Sequence, residues 1–546
     1  MIKNLTLENR IRLLIVLLGL CLFLPFNGMI HLFDWDEINF AESAREMIVT
    51  GNYNTVSINF IPFWEKPPLF IWMQVLSMKA FGVNEFAARF PNALCGIATL
   101  LILFEIGREL KGIKFGLVWA AAYGASLLPF LYFKSGIIDP WFNLFIFSAL
   151  YFVFLHLKHR ATGLKSIKNL LISALILGLA VLTKGPAAML LYGLTLLIYL
   201  TIERKWNLLK ISHITLFALV LVLCGGAYHI YQVIIGNGQL VYDFFKYQLR
   251  LMKTEDAGHG GSIFYHPIVL FVGVFPASLL AISSFTRTEN EHNDFRRLML
   301  VLFFVVLIIF SLVQTKIVHY SSLCYFPLSY LAALQAYRIC FSGESLTKAT
   351  KIMILSIGCF YALVPGILQL IATTIPIETL KTFIKDDFAI ACIDRSIAWN
   401  GSEFLIGILL GVMLLFSILR WTALKQMIAI FASTMVFVLL LMIFVVPKIE
   451  KYSQAPAIAF MERFKDKPVW ISPLGYYSYA HLFYSNKAKR ACNNCDEEEF
   501  LLTKNTDQPV YFVAKSTQEK ELLIQHPQLE VKERKGGFIL LEKMIK

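Results

Sequence analysis

The sequence predicts an all-α polytopic membrane protein of about thirteen transmembrane helices, followed by a small extracytoplasmic α/β domain. Of its 546 residues, 57% are hydrophobic, and the mean hydropathy of +0.63 lies far above the soluble range. The apolar residues come in repeated runs of roughly 17–24, the length that spans a bilayer. From residue 448 onward the composition turns polar. We therefore expect a transmembrane domain over residues 1–447 and an extracytoplasmic domain over residues 448–546.

The predicted spans follow one another along the first domain. They cover residues 13–31, 86–106, 115–133, 141–157, 170–183, 186–202, 213–235, 267–285, 298–314, 320–340, 352–375, 403–420 and 426–447. The first run is not expected to be a cleaved signal peptide, because it lacks a small-residue cleavage site and further spans follow it.

Lysines and arginines cluster in the loops on one side of these spans. They precede the first span and follow each even-numbered one, at positions that include Lys3, Arg108, Lys158, Arg204, Arg287, Lys348 and Arg420. Because cytoplasmic loops carry an excess of such residues, the sequence predicts a cytoplasmic N-terminus and a periplasmic C-terminal domain, in the cytoplasmic membrane. The net charge of +13 then reflects topology and does not indicate nucleic-acid binding.

Three short segments of the C-terminal part are typical of strands. They read "KPVWIS", "PVYFVAK" and "FILLEK", while residues 454–465 and 516–525 are predicted as helices. Cys492 and Cys495 flank two asparagines in this part. A local disulfide and two unpaired thiols both fit an extracytoplasmic location, whereas a zinc site would lack its other ligands.

The loop between the first two spans, from residue 32 to residue 85, is long and acidic. It contains "DWDEINFAESAREM" and "FWEKPPLFIW". Its helical segments, residues 38–50 and 68–81, are too short or too polar to span, so we expect interfacial helices. Within the first of them, Glu42, Arg45 and Glu46 are expected to form a solvated face.

Other outer turns also carry polar side chains at the span ends. These are Lys134 and Asp139 after span three, Lys184 after span five, Arg250 and His259 after span seven, and Lys316 and Tyr320 around the start of span ten. Ionisable groups at membrane depth are costly and usually functional. Because they share the predicted outer side, we expect one cavity formed by loops far apart in sequence.

These residue types fit chemistry on a phosphate-bearing substrate. Lysine and arginine hold phosphate through charge-assisted hydrogen bonds, and a carboxylate can be the general base that activates a hydroxyl. The sequence has neither a Walker-type "GxxxxGK[ST]" nor a Rossmann-type glycine pattern after a strand. Since ATP and nucleotide sugars are cytosolic, the simplest phosphate substrate on the outer side is a lipid phosphate.

Six short motifs resemble, in order, those of membrane glycosyltransferases that use polyprenyl-phosphate sugars. The motifs are "DE" with "AESAREM", "FWEKPP", "IIDP", "LTKG", "DAGHGG" and "QTKIVHY". They are similar to the C-fold superfamily, specifically the branch of protein O-mannosyltransferases and lipid A aminoarabinose transferases. The predicted spans and outer domain most resemble the aminoarabinose transferase arrangement.

The resemblance implies a role for each motif residue. The implied catalytic residues are Asp36 as the base, Glu37, and Asp139 as the residue that orients the site. The implied substrate contacts are Lys66 to the lipid phosphate, with Lys184, Arg250, Lys316 and Tyr320 as candidates for phosphate or acceptor. Glu65 and His259 would contribute to a metal or phosphate site, where zinc or manganese suits such ligands.

The first outer loop also departs from the aminoarabinose transferase pattern, which usually reads "DExRYAE". This chain reads "DEINFAE", so Asn39 and Phe40 replace an arginine and a tyrosine, and Phe63 stands where a tyrosine is common. These changes bear on the sugar and the acceptor more than on the reaction type.

The implied reaction is inverting transfer of a sugar from a polyprenyl-phosphate donor to lipid A, another envelope glycan or a protein. The alternative is a transporter or flippase for a lipid-linked sugar, although such proteins usually show internal repeats and mid-membrane charges. A non-catalytic scaffold would not need the assembled acid, lysine and histidine set.

Each candidate residue has a structural interpretation as well. Asp36 and Glu37 would suit a helix N-terminus, and Asp139 would suit a helix cap. Glu65 and Lys66 could form an interfacial salt bridge, while Lys184 and Lys316 could extend their side chains to the membrane interface. His259 could belong to a flexible loop, in which case His266 or His319 could take its functional role.

Overall fold

Long apolar helices form most of the computed structural model, which describes residues 6–253, 260–287, 293–488 and 498–544. Among these residues, seven helices are long and apolar enough to cross a membrane. They are α4 (Glu85–Lys111), α7 (Asp139–Ala161), α8 (Ile167–Lys184), α15 (Asn293–Leu312), α17 (Lys348–Thr373), α20 (Ser402–Leu419) and the continuous stretch Ala423–Lys451, which comprises α21 (Ala423–Leu440), the π-helical Leu441–Val445 and α22 (Val446–Lys451).

Two bent helix pairs raise the number of candidate spans in the described chain to nine at most. They are α10 (Ile211–Gly225) with α11 (Ala227–Ile234), bent by 57°, and α13 (Tyr265–Gly273) with α14 (Ala277–Thr286), bent by 112°. A break of this size fits either a broken span or a re-entrant loop.

The other described helices are shorter or more polar. They are α1 (Leu7–Phe23), α2 (Asp36–Thr50), α3 (Leu69–Phe81), α5 (Ile113–Gly124), α6 (Leu127–Tyr132), α9 (Ala187–Glu203), α12 (Gly238–Lys253), α16 (Tyr325–Phe341), α18 (Ile377–Phe383), α19 (Asp387–Ala391), α23 (Ala455–Glu462), α24 (Ala480–Tyr484), α25 (Glu498–Thr503) and α26 (Glu519–Gln525).

The all-α class of the first domain is confirmed, whereas thirteen crossings are not. Each predicted span from the second onward coincides with one helix or with helical pieces separated by a short break, whereas the first, residues 13–31, extends eight residues beyond the end of α1. However, α1, α9 and α16 have 17 residues each. At about 1.5 Å per residue such a helix covers less than the roughly 30 Å of hydrocarbon. The number of crossings therefore stays a prediction.

Glycines and aromatic rings pack the helices closely. A Cβ atom added to Gly107 of α4 would come within 2.7 Å of the Gly116 Cα of α5, and small residues at helix interfaces permit this approach. Next to this contact, the buried Trp119 packs 5.0 Å from Tyr330 of α16, measured between ring centroids. Its indole N–H donates to Ser329 Oγ at 3.1 Å.

The first outer loop contains both predicted helices, as α2 and α3, with the short strands β1 (Ser57–Ile58) and β2 (Ile61–Pro62) between them. The expected solvated face of α2 is wrong, because Glu42, Arg45 and Glu46 are each at most 1% exposed. Arg45 pairs with Glu42 at 2.6 Å and also donates to Asn486 of the C-terminal part at 3.1 Å. The C-terminal part therefore covers this face.

Four strands near the C-terminus form one mixed sheet. They are β3 (Trp470–Leu474), β4 (Val510–Lys515), β5 (Leu529–Lys535) and β6 (Phe538–Lys543), in the spatial order β3–β4–β6–β5. β3 and β4 are parallel, and β6 pairs antiparallel with β4 and β5. The predicted strands and helices are present, and β5 is an addition. The domain boundary at residue 447 stays a prediction, and Cys492 and Cys495 lie outside the described residues.

The C-terminal sheet and its helices lie directly on the first outer loop. The amide of Leu32 donates to the Tyr484 hydroxyl at 2.7 Å, and the Gln454 side chain donates to the Leu32 carbonyl at 2.9 Å. His31 pairs with Glu450 of α22. These contacts fix the position of the sheet beside the start of α2.

Candidate active site

Four ionisable side chains from four separate segments meet where α2 begins. Asp36 and Asp139 are the first residues of α2 and α7, Lys184 is the last residue of α8, and His319 lies in the 3-10 helix Val318–Cys324. His319 Nε2 is 3.7 Å from Asp36 Oδ2 and 3.9 Å from Asp139 Oδ2. Lys184 Nζ donates to Asp139 Oδ1 at 2.6 Å. We refer to these four residues as the charged cluster.

Helix ends explain where two of these residues lie. Asp139 begins α7 ahead of Pro140, and an acidic residue with a following proline is favourable at a helix N-terminus. Lys184 ends α8, where a cation is favourable, and Gly185 follows with a φ of +87°. A Cβ atom on Gly185 would come within 2.5 Å of Phe244 Cζ, so glycine also permits close packing there.

The two aspartates of the charged cluster differ in accessibility. The Asp36 side chain is 28% exposed, whereas the Asp139 side chain is 3% exposed. Asp139 Oδ2 accepts no hydrogen bond from the residues that the structure describes. Asp36 can therefore meet a substrate directly, while Asp139 is suited to orienting Lys184 and His319.

His319 connects the two aspartates and was only a substitute candidate in the sequence analysis. Burial lowers the pKa of His319 below its ordinary value, and the attraction of Asp139 and Asp36 does not restore it. A neutral imidazole at this position can donate a hydrogen bond from one ring nitrogen to a carboxylate, or can take up a proton from a carboxyl group at the other. Its sequence context, "QTKIVHY", was identified for its lysine rather than for its histidine.

Two further cations lie against one aromatic ring. Lys66 Nζ is 5.8 Å and Arg250 Cζ is 5.1 Å from the Tyr247 ring centroid. Trp64, two residues before Lys66, packs against the same ring at 5.2 Å. The charge of Lys66 also lowers the pKa of His319, so the lysine lies within electrostatic reach of the charged cluster. This positive surface suits a phosphate group.

Lys184 and Tyr320, both predicted substrate contacts, lie together. Lys184 Nζ is 5.2 Å from the Tyr320 ring centroid and 5.7 Å from that of Phe142. Because Lys184 also pairs with Asp139, its charge is already partly engaged within the cluster. The phosphate or acceptor role of both residues stays a prediction.

Glu37, one residue after Asp36, faces the protein interior. It pairs with the guanidinium of Arg89 at 2.8 Å and 2.9 Å, and it accepts hydrogen bonds from the amides of Phe33, at 2.8 Å, and Gly136. Burial alone would raise the pKa of Glu37, but Arg89 and the two amides hold it below its ordinary value. This geometry supports a role in positioning the loop; the catalytic role inferred from the motif stays a prediction.

Lys316 also points to the protein rather than to the cluster. Its ammonium donates to the carbonyls of Phe310, Ser311 and Val313, at 3.1, 2.7 and 2.5 Å, around the end of α15. These acceptors are unpaired carbonyls of a helix C-terminus. The substrate role of Lys316 stays a prediction.

The predicted metal site is described only in part. Glu65 lies in the described chain beside Lys66, whereas His259 lies outside the described residues. Among the residues that are described, no group of three histidine, cysteine or acidic side chains could hold a metal ion. The side chains in view thus do not form a complete metal site, and the zinc or manganese site stays a prediction.

Arg89 is the member of this region that the sequence analysis missed. It lies within a predicted span, where it is 2% exposed, and it donates to the carbonyls of Asn27, Ile30 and His31 at 2.8–2.9 Å. The signal in the sequence was an arginine inside an apolar run. Because a charge within the membrane usually has a partner, this arginine predicted a buried acidic residue beside it.

Comparisons with known proteins support the resemblance inferred from the motifs. Residues 65–228 match a family described as dolichyl-phosphate-mannose-protein mannosyltransferase. Proteins named undecaprenyl phosphate-alpha-4-amino-4-deoxy-L-arabinose arabinosyl transferase are also similar. The one from Photorhabdus laumondii is 26% identical over 322 residues, or 57% of this chain and 56% of that protein. The one from Pectobacterium atrosepticum is 26% identical over 324 residues, or 59% of this chain and 58% of that protein.

The similarity to a solved structure extends over the whole fold. The crystal structure of ArnT from Cupriavidus metallidurans bound to undecaprenyl phosphate covers 98% of each chain, with a TM-score of 0.76 and 17% identity. The two arabinosyl transferases, by contrast, are matched over less than two thirds of their length. The chain thus has an ArnT-like fold, and its resemblance to the mannosyltransferase and arabinosyl transferase branch is confirmed.

Proposed function

We propose that this chain, an integral membrane protein with an ArnT-like fold, transfers a sugar from a polyprenyl-phosphate donor to an acceptor hydroxyl at the outer face of the cytoplasmic membrane. The charged cluster carries the proposal. Two carboxylates, a lysine and a histidine from segments nearly 300 residues apart converge beside the loop that holds Lys66. A structural role alone does not require this convergence, because buried charges are costly.

The proposed reaction is a single displacement at the anomeric carbon. Asp36 accepts the proton of the acceptor hydroxyl, and the acceptor oxygen forms its bond to the anomeric carbon on the face opposite the phosphate. The bond between the anomeric carbon and the phosphate oxygen breaks at the same time, and the phosphate leaves with the electron pair. One displacement inverts the anomeric configuration, and no covalent enzyme intermediate forms.

The rest of the charged cluster prepares Asp36 for this step. His319 Nε2 faces the Asp36 carboxylate at 3.7 Å, and the same nitrogen faces Asp139, which Lys184 holds in place. From this position between the two carboxylates, the histidine is proposed to orient the base. Preorganised polar groups of this kind stabilise developing charge without reorganisation during the reaction.

Lys66 and Arg250 are proposed to receive the leaving phosphate. The negative charge on the phosphate ester grows as its bond to the sugar breaks, so cations at this position stabilise the transition state more than the ground state. Their shared contact with Tyr247 keeps the two cations on one surface.

The undecaprenyl phosphate in the ArnT crystal structure and the names of the relatives support a polyprenyl-phosphate sugar as donor. For the acceptor we propose lipid A or another glycan of the cell envelope. The departures at Asn39 and Phe40 lie three and four residues after the base in α2, and both side chains are buried. They can therefore affect the choice of acceptor or sugar only through the residues that they position.

Transfer is tested with the purified full-length chain in lipid nanodiscs. Undecaprenyl-phosphate 4-amino-4-deoxy-L-arabinose and an undecaprenyl-phosphate hexose serve as donors, lipid A serves as acceptor, and mass spectrometry and NMR identify the product and its anomeric configuration. We expect a glycosylated acceptor of inverted configuration. Net movement of intact donor across proteoliposome membranes without any product would instead support a transporter and contradict the proposal.

A further inference from the structure

Three aromatic side chains, two exposed and one half-buried, pack together beside the proposed base. Trp35 immediately precedes Asp36, whereas Tyr477 and Tyr479 follow β3 of the C-terminal sheet. The Trp35 ring centroid is 5.2 Å from that of Tyr477 and 5.3 Å from that of Tyr479, and the two tyrosine hydroxyls are 2.9 Å apart. Trp35 is 40% and Tyr477 is 71% exposed. We call these three residues the aromatic trio.

The trio is held in place by Asn39. The indole N–H of Trp35 lies 2.9 Å from the side-chain amide of Asn39, which also reaches the Trp35 carbonyl at 3.1 Å. Asn39 is 2% exposed and stands where the aminoarabinose transferase pattern has an arginine. A surface that is already ordered loses less conformational entropy on binding a ligand.

The trio borders the site on the side of the C-terminal domain. Its Trp35 immediately precedes Asp36 in the chain, and its Tyr477 and Tyr479 belong to the C-terminal part. Burial, the contact with Tyr477 and the negative charge of Glu65 together raise the pKa of Tyr479. A ligand on the trio would therefore lie beside the proposed base.

The shape and chemistry of the trio favour a sugar ring over a peptide. A pyranose ring has C–H groups that can lie against the negative faces of aromatic rings, and hydroxyls that can bond to tyrosine oxygens. A peptide would instead use a free sheet edge or a deep apolar groove. Here the edge strand β3 is buried along all five residues, and the neighbouring cavity, lined by Asp34, Tyr476 and Ser478, measures about 50 Å³.

We propose that the aromatic trio binds a saccharide ring of the acceptor and thereby presents an acceptor hydroxyl to Asp36. This inference rests on the proposed transferase function and assigns the binding of its glycan acceptor to named residues. Trp35 and Tyr477 supply the stacking faces, Tyr479 supplies a hydroxyl at the inner edge, and Asn39 acts as a positioning residue for Trp35.

The test compares Tyr477→Ala with Tyr477→Phe in the full-length chain in nanodiscs. Phe383→Ala is the matched control, because Phe383 is an exposed aromatic residue, 80% accessible, outside the trio. Steady-state transfer to lipid A gives KM for acceptor and donor, and equilibrium binding of the deacylated lipid A disaccharide gives an affinity that needs no turnover. Tyr477→Ala should raise acceptor KM and weaken disaccharide binding about three- to tenfold, as expected for one lost aromatic contact. Tyr477→Phe should retain most of the affinity.

Asn39→Leu tests whether Asn39 positions Trp35, and the more conservative Asn39→Gln is compared with it. Asn39→Leu should raise acceptor KM without changing donor KM, and Asn39→Gln should recover part of the loss. Loss of kcat alone, with both KM values unchanged, would contradict a role in acceptor binding.

The outcomes separate this inference from the proposed function. If the wild-type chain transfers sugar to lipid A and Tyr477→Ala changes neither acceptor KM nor disaccharide binding, the trio is not an acceptor site, although the transferase function stands. A rise in donor KM instead, or transfer to a peptide and not to a glycan, would also overturn the inference. If no donor yields product but Tyr477→Ala weakens disaccharide binding, the saccharide site stands and the transferase function fails.

Discussion

Replacing Glu37 by glutamine separates a positioning role from a catalytic one. Glu37 adjoins the proposed base Asp36 in sequence, yet its side chain is 4% exposed and both of its oxygens are engaged. Glutamine keeps the size and one acceptor oxygen but removes the negative charge. Arg89 then remains buried and charged without its partner.

The expected loss of stability follows from the contacts of this pair. Removing one partner of a buried ion pair costs about 3–5 kcal/mol, because the other charge stays buried. Arg89 keeps hydrogen bonds to the carbonyls of Asn27, Ile30 and His31, which partly compensate its charge. We therefore expect a loss at the lower end, about 3 kcal/mol. The pKa of Glu37 is lowered in the fold. The stabilisation by this ion pair is therefore complete at pH values above the ordinary pKa of a glutamate, about 4.3, and is lost as the pH falls from there through the lowered pKa.

The assay is thermal unfolding of the purified chain in detergent, with the monodisperse fraction as readout. Glu378→Gln is the matched control, since Glu378 is 83% exposed and its ion pair with Lys381 should contribute less than about 1 kcal/mol. The double variant Glu37→Gln with Arg89→Met should recover part of the loss, because no unpaired buried charge remains. A Glu37→Gln variant as stable as the wild type but inactive in transfer would refute the positioning role and return Glu37 to the chemistry.

Three further predictions concern the phosphate site and two buried titratable groups. Lys66→Ala should weaken the affinity for an undecaprenyl-phosphate sugar about tenfold or more and Lys66→Arg should recover part of it, whereas unchanged affinity would leave Lys66 a surface charge. Burial and Glu42 raise the pKa of Glu46 to about 8 in the fold, so this group's stabilisation is lost as the pH rises toward 8, and Glu46→Gln should raise the melting temperature at pH 8 but not at pH 4. Burial lowers the pKa of His481 to about 3, so acidification from pH 6.5 to 5 should lower the free energy of unfolding by about 2 kcal/mol. His481→Gln should remove this acid sensitivity, and a variant whose melting temperature falls with pH as steeply as that of the wild type would contradict the prediction.

The sequence was sufficient for the membrane class because apolar runs of span length leave no other solution for the backbone. The number of crossings was harder to predict. α10 with α11 and α13 with α14 are continuous apolar runs that bend by 57° and 112°. A bend frees backbone N–H and C=O groups, and it is stable only where neighbouring helices supply hydrogen-bond partners for them. Hydropathy along the chain does not show where such partners lie.

The charged cluster was predictable in part, because Asp36, Asp139 and Lys184 each lie at a helix end on the same predicted side. Their mutual distances were not predictable, and neither was the central position of His319. The 3-10 helix that carries this histidine packs against α15, α13 and α7. A short helix of this type is set by tertiary packing rather than by local propensity.

The polar face of α2 was expected to be solvated but is buried. The expectation failed because this burial, too, is set by tertiary packing. Glu42 and Arg45 read as a surface pair, one helical turn apart. Asn486, more than 400 residues later, lies 3.1 Å from Arg45 and helps to bury the pair. The docking of the C-terminal part onto the first outer loop contributes to this burial, and the same docking brings Tyr477 and Tyr479 to Trp35.

The central claim, that Asp36 is the base of a sugar transfer, is tested most directly by the rate of Asp36→Asn. Wild type and variant, at matched folding in nanodiscs, are compared under single-turnover conditions with a saturating undecaprenyl-phosphate sugar and lipid A. Loss of a general base predicts a rate at least about 100-fold lower, with donor affinity unchanged. Transfer by Asp36→Asn at the wild-type rate would contradict the account.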